Sequence, residues 1–164
     1  MTSTYEKIAT SNVSNGTTGT VTFSTIPSTY TDLILIINGG CDGGGLRMRF
    51  NSDTGSNFST TTMYGNGSSA GSSRFTSQTY IDIAGVIGGN TANTNTIVQI
   101  QNYANTTTNK TALTRCNTAS SEVMATVGLW RSTSAITTVA IQAVNGNGYF
   151  TNGSTLNLYG IKAE

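Results

Sequence analysis

Apolar side chains recur in this chain at every second position, in short runs set apart by Gly, Asn and Ser. A period of two puts one face of an extended strand in a core and the other in water. Val21 and Phe23 keep that alternation in TVTFS, as do Leu46, Met48 and Phe50 in LRMRF. Four further segments follow it: TIVQIQNY (96–103), KTALTRC (110–116), EVMATVGLWR (122–131) and TLNLYGI (155–161). AITTVAIQA (135–143) reads as a hairpin partner of 122–131, joined to it across Ser132-Thr133-Ser134. Weaker strands are expected at 4–9 and 74–83. Residues 33–37, LILII, are apolar throughout, which predicts a central strand covered on both faces.

Turn chemistry fills the gaps. The single proline, Pro27, marks a corner, and Asn145-Gly146-Asn147-Gly148 is a tight-turn signal. No segment carries the helical period. The pattern predicts an all-β chain folded as a two-sheet antiparallel β-sandwich, jelly-roll-like, with about eight to ten strands. Residues 1–19 read as an N-terminal strand or arm and 20–164 as the sandwich domain.

Composition narrows the function more than the fold. Charged residues make up 9% of the chain and the net charge is +1, with no run of Lys or Arg. A nucleic-acid partner is therefore not expected, since phosphate binding needs a basic stripe. No segment is long and apolar enough to cross a bilayer, and the first residues lack a signal-peptide pattern. The expectation is synthesis in a cytoplasm without a membrane partner.

Histidine is absent. That removes Ser-His and Cys-His nucleophile pairs and imidazole metal ligands. Cys41 and Cys116 are too few for a four-ligand zinc site and are expected to be free thiols. Asp42 and Asp53 flank one strand and are the carboxylates best placed to act as a pair, but glycine-rich loops hold catalytic groups poorly. No enzyme, cofactor or metal is expected. NGGCDGGG (38–45) has five glycines but no Gly-Lys-Ser/Thr after it, so it is a flexible loop and not a phosphate cradle.

Three features are candidates for function. Arg47 and Arg49 share the face of 46–50 opposite the apolar one, as a solvated basic face or as forks for a partner's carboxylates and carbonyls. Tyr5, in the first strand, joins them as an interface candidate. NSDTGSN (51–57) looks superficially like a calcium loop, but its glycine is misplaced and the closing Glu is missing. It reads better as a turn in which Asn51 and Asp53 bond nearby backbone amides. Trp130 and Tyr64, Tyr80, Tyr103 and Tyr149 are either core residues or a platform for sugar rings.

Several of these stretches together resemble one family. Arg49-Phe50-Asn51-Ser52-Asp53-Thr54-Gly55-Ser56-Asn57-Phe58-Ser59, followed by Tyr64-Gly65-Asn66-Gly67, is similar to the RFNxDTGSNYS…YGNGS signature of small tailed-phage virion proteins of aquatic bacteria. Phe58 stands where that family usually has Tyr. IPSTYTDL (26–33), the NYA at 102–104, GLWRSTSAIT (128–137) and LYGI (158–161) resemble its other segments in the same order. The glycine-rich loop at 38–45 departs from it. The resemblance implies a particle component made in the host bacterial cytoplasm. It implies first a capsid cement or decoration protein on the capsid exterior, a homotrimer bound to the major capsid protein. The alternatives are a tail or head-fibre module binding host glycans, and an architectural tail or adaptor component.

Overall fold

The computed structural model describes residues 4–84, 94–117, 122–144 and 148–162, which form twelve strands and no helix. In chain order they are β1 (Tyr5–Asn12), β2 (Thr20–Phe23), β3 (Asp32–Gly39), β4 (Gly45–Phe50), β5 (Phe58–Gly65) and β6 (Ala70–Gln78). Then come β7 (Ile81–Ala84), β8 (Thr94–Ile100), β9 (Lys110–Asn117), β10 (Val123–Trp130), β11 (Val139–Val144) and β12 (Thr155–Ile161). They build two antiparallel sheets, one of eight strands in the order β1-β12-β3-β8-β9-β10-β5-β6 and one of four in the order β2-β11-β4-β7. The chain changes layer repeatedly, from β2 to β3, β3 to β4, β4 to β5 and again at β7, β8, β11 and β12. This is a jelly-roll-like β-sandwich.

The inward faces carry the alternation read from the sequence. Leu46, Met48 and Phe50 of β4 and Val139 and Ile141 of β11 are buried against Leu33, Leu35, Val98, Ile100 and Leu158. Fully burying one such side chain stabilises by about 1.5–3 kcal/mol. Two glycines let the packing close. A Cβ on Gly128 would come within 2.4 Å of Ile81 Cγ2, and one on Gly160 within 2.2 Å of the Tyr30 ring. Here β10 meets β7 of the opposite sheet too closely for any side chain at 128.

The strand count exceeds the expected eight to ten, and part of the excess is β6. Its sequence, AGSSRFTSQ, has no apolar alternation, because it is an edge strand with mostly exposed side chains. The expected strand at 74–83 is in fact the end of β6, a break and β7. The N-terminal strand runs to Asn12 and pairs with β12 along the sheet edge.

The hairpin expected between 122–131 and 135–143 does not form. β10 pairs with β5 and β9, whereas β11 pairs with β2 and β4 in the other sheet. Residues 131–138 cross between layers, with Ile136 buried in the core on the way. The cover expected on both sides of 33–37 is also incomplete. Ile34, on the outward side, is 8% exposed and Ile36 is half-buried, and no described strand lies over them. The tight turn expected at 145–148 falls largely outside the described residues.

Candidate functional site

The two longest motifs meet in one joint. Asn51 and Ser52 follow β4 with φ of 50° and 55°, a left-handed turn that Asn tolerates better than most residues. The Asn51 side chain then bonds the crossing segment: Nδ2 donates to the Ala135 carbonyl at 2.7 Å, and Oδ1 accepts from the amides of Thr137 at 2.9 Å and Thr138 at 3.1 Å. One amide side chain thus satisfies a stretch of backbone that has left the sheet ladder.

Asp53 does the same for the other side of the corner. Its Oδ1 accepts from the Gly55 amide at 2.8 Å, the local turn bond expected from sequence. Its Oδ2 accepts from Asn57 Nδ2 at 2.9 Å and from the Trp130 indole at 2.7 Å. Burial by itself would raise the Asp53 pKa, but the donors from Trp130, Asn57 and Gly55 together outweigh it and hold the carboxyl below its ordinary value. Trp130 is 2% exposed and stacks on Phe58 at 6.0 Å, with Phe50 at 5.6 Å. The Arg131 amide closes the joint on the Asn57 carbonyl at 2.8 Å. Both Asp53 oxygens point at protein donors, so 51–57 is a turn that fastens β4, β5 and β10 together.

The interface candidates lie on opposite sides of the sandwich. Arg47 and Arg49 are side by side on the outer face of the four-stranded sheet, near Thr20, Ala140 and Gln142. Arg47 Nε pairs with Asp82 Oδ1 at 3.2 Å, and its guanidinium lies 3.7 Å over the Tyr80 ring. Arg49 Nε donates to the Thr79 carbonyl at 2.8 Å. Both forks are therefore turned onto the chain at 79–82. Burial outweighs the Arg47 contacts at Asp82 and raises that carboxyl above its ordinary value. Tyr5 is 56% exposed on β1, beside the outer face of the eight-stranded sheet.

The remaining candidates are dispersed. Asp42 and Asp53 lie beyond opposite ends of β4, whose six residues span roughly 16 Å or more, whereas glycosidase carboxylates sit ~5–9.5 Å apart. Asp42 accepts from the Tyr149 amide at 2.9 Å. Tyr103 is buried, donating its hydroxyl to the Pro27 carbonyl, and Tyr80 lies under Arg47. Trp130 is also in the core, whereas Tyr64 and Tyr149 are exposed at 38% and 37%. Cys41 and Cys116 are buried free thiols, and burial, with Glu122 adding to it, pushes the Cys116 pKa up to about 11.

One residue of consequence escaped the sequence reading. Lys110 is 1% exposed, and its Nζ donates to the carbonyls of Thr108 at 2.7 Å and Thr133 at 3.2 Å. Burial pulls its pKa below the ordinary value. The signal was its parity, since Lys110 shares the inward face of β9 with Ala112, Thr114 and Cys116.

The geometry defines a jelly-roll-like β-sandwich whose motif residues serve as internal fastenings. No family model matches the chain, and no curated protein matches it in sequence. Among solved structures it is similar to the galectin LEC-6 of Caenorhabditis elegans, at 7% identity over 98% of this chain and 96% of that one, with a TM-score of 0.36. It is also similar to the alginate lyase Aly36B, at 11% identity over 87% and 71%, TM-score 0.35. A human SPRY domain aligns at 9% identity over 99% of both chains, TM-score 0.32. Likeness at that level carries no inference about what this chain binds or does.

Proposed function

We propose that this chain is a non-enzymatic structural protein of a tailed-phage particle, a cement or decoration protein that binds the outer shell and stabilises contacts between major capsid proteins. The supporting observation is the joint around Asp53. The residues that resemble virion proteins (Asn51, Asp53, Asn57 and Trp130) spend their side chains on fastening strands, so the motifs preserve a stiff scaffold and not a reaction centre. A rigid sandwich with low charge suits an adhesive part, because little order has to be imposed when it docks.

The test is binding of the purified chain to mature particles that lack it. The reading expects saturable binding to the shell and a higher temperature of particle disruption. Particles that neither bind nor gain stability would overturn it. Normal particles that lose adsorption to host cells when the chain is absent would point to the glycan-binding module.

A further inference from the structure

The two outer faces of the sandwich differ in chemistry. That of the four-stranded sheet carries Thr20, Thr22, Arg47, Arg49 and Gln142, a solvated pattern with its cations engaged. That of the eight-stranded sheet carries an apolar band across its middle, with polar side chains such as Asn38, Asn95, Asn117 and Thr111 toward its ends. One cross-strand row runs Tyr159, Ile34, Gln99, Leu113, Val127, Thr61, and the next runs Asn157, Ile36, Ile97, Arg115, Ala125, Met63. Leu113 is 42% exposed and Val127, directly beside it, 49%. A strand as apolar as 33–37 suits a sheet with both faces covered, and among the described residues no strand lies over its outward side.

From this we infer that the outer face of the eight-stranded sheet is a self-association surface, occupied by the same face of a second copy of this chain. Two arguments select a copy. The first is area. From β12 across to β5 there are six adjacent strands. At ~4.8 Å spacing and about seven residues of length they cover roughly 650 Å² per copy, so a pair removes about 1,300 Å², within the range of specific interfaces.

The second argument is charge. Among the described residues of these six strands the outward cation is Arg115, which belongs to neither ion pair of the described residues. Asp32, at the start of β3, is the matching carboxylate, and it accepts from the Asn102 amide at 2.8 Å and from Gln99 at 3.3 Å. Asp32 and Arg115 lie on strands either side of β8, roughly 16 Å apart with Gln99 midway. A twofold axis lying in the contact plane, crossing Gln99 at right angles to the line from Asp32 to Arg115, sets each Arg115 over the Asp32 of the other copy. An apolar band with one charge of each sign beside it is self-complementary. A face that meets itself closes as a pair, unlike the threefold packing that the resemblance to virion proteins implies.

The inference does not rest on the particle reading, and its test needs no particle. Sedimentation equilibrium of the purified full chain is expected to give a dimer at micromolar concentration. Leu113→Asp and Val127→Asp each put an unpaired carboxylate into the apolar band and raise the dimer dissociation constant at least roughly tenfold. Arg115→Glu weakens the pair by facing Asp32 with a like charge. Gln142→Lys, on the other sheet's outer face, leaves the constant unchanged. Circular dichroism establishes that each variant keeps its fold, which the exposure of these positions favours. A monomer, a trimer, or a dimer indifferent to the Leu113 and Val127 variants would overturn the inference.

Discussion

Replacing Asp53 by Ala tests whether the two motifs form one mechanical joint. The carboxylate accepts from the Gly55 amide, the Asn57 amide and the Trp130 indole. The indole matters most, because Trp130 is 2% exposed and packed against Phe50 and Phe58. Leaving a buried N–H unmet costs about 1–3 kcal/mol, and losing the turn bond at Gly55 adds on the order of 1 kcal/mol. The expected loss is therefore about 2–4 kcal/mol, read from urea unfolding followed by circular dichroism. Trp130→Phe keeps a ring but removes the donor. In that background Asp53→Ala should cost at least about 1 kcal/mol less, since the orphaned N–H is no longer there. The pH dependence has a definite sign. The folded Asp53 carboxyl holds its proton more weakly than the ordinary value of 3.8. Its contribution is present above that value and disappears as pH falls through the lower folded pKa. Asp53→Ala should flatten that acid limb. A cost below about 0.5 kcal/mol, or strictly additive losses in the two variants, would refute the joint.

Other perturbations follow from single contacts. Gly128→Ala drives a methyl into Ile81 and should destabilise by about 1–3 kcal/mol in thermal unfolding, with much of the loss recovered in the Ile81→Ala background. The charged form of Lys110 is disfavoured in the fold, so the wild type should gain stability relative to Lys110→Met as pH rises through the folded pKa toward 10.5. A parallel pH profile for the two proteins would contradict this. Because both thiols are buried and that of Cys116 is pushed up to about 11, neither should react with a thiol reagent at neutral pH until the chain unfolds.

Much of the sandwich was legible because its strands are half-buried and write a period of two into the chain. Val21 and Phe23, Leu46 to Phe50 and Leu156 to Leu158 all landed on the inward face. The reading failed where that physics is silent. β6 is an edge strand and buries too little to leave a pattern. The link at 131–138 looked like a hairpin loop because short spacing favours one. What diverts it is the Asn51 side chain, more than 80 positions away, bonding Ala135, Thr137 and Thr138. Asp53 was legible as a turn residue from its neighbours, while its bond to Trp130 spans 77 positions and left no local trace. Arg47 and Arg49 were visible as a pair on one face. Their engagement with Asp82 and Thr79 depends on β7 docking beside β4, which no spacing along the chain announces.

The most direct measurement for the proposed role is electron cryomicroscopy of the particle, locating this chain's density and fitting the sandwich into it. The account predicts density on the outer surface of the capsid, bridging neighbouring major capsid proteins. Density confined to the tail tip or fibres would contradict it.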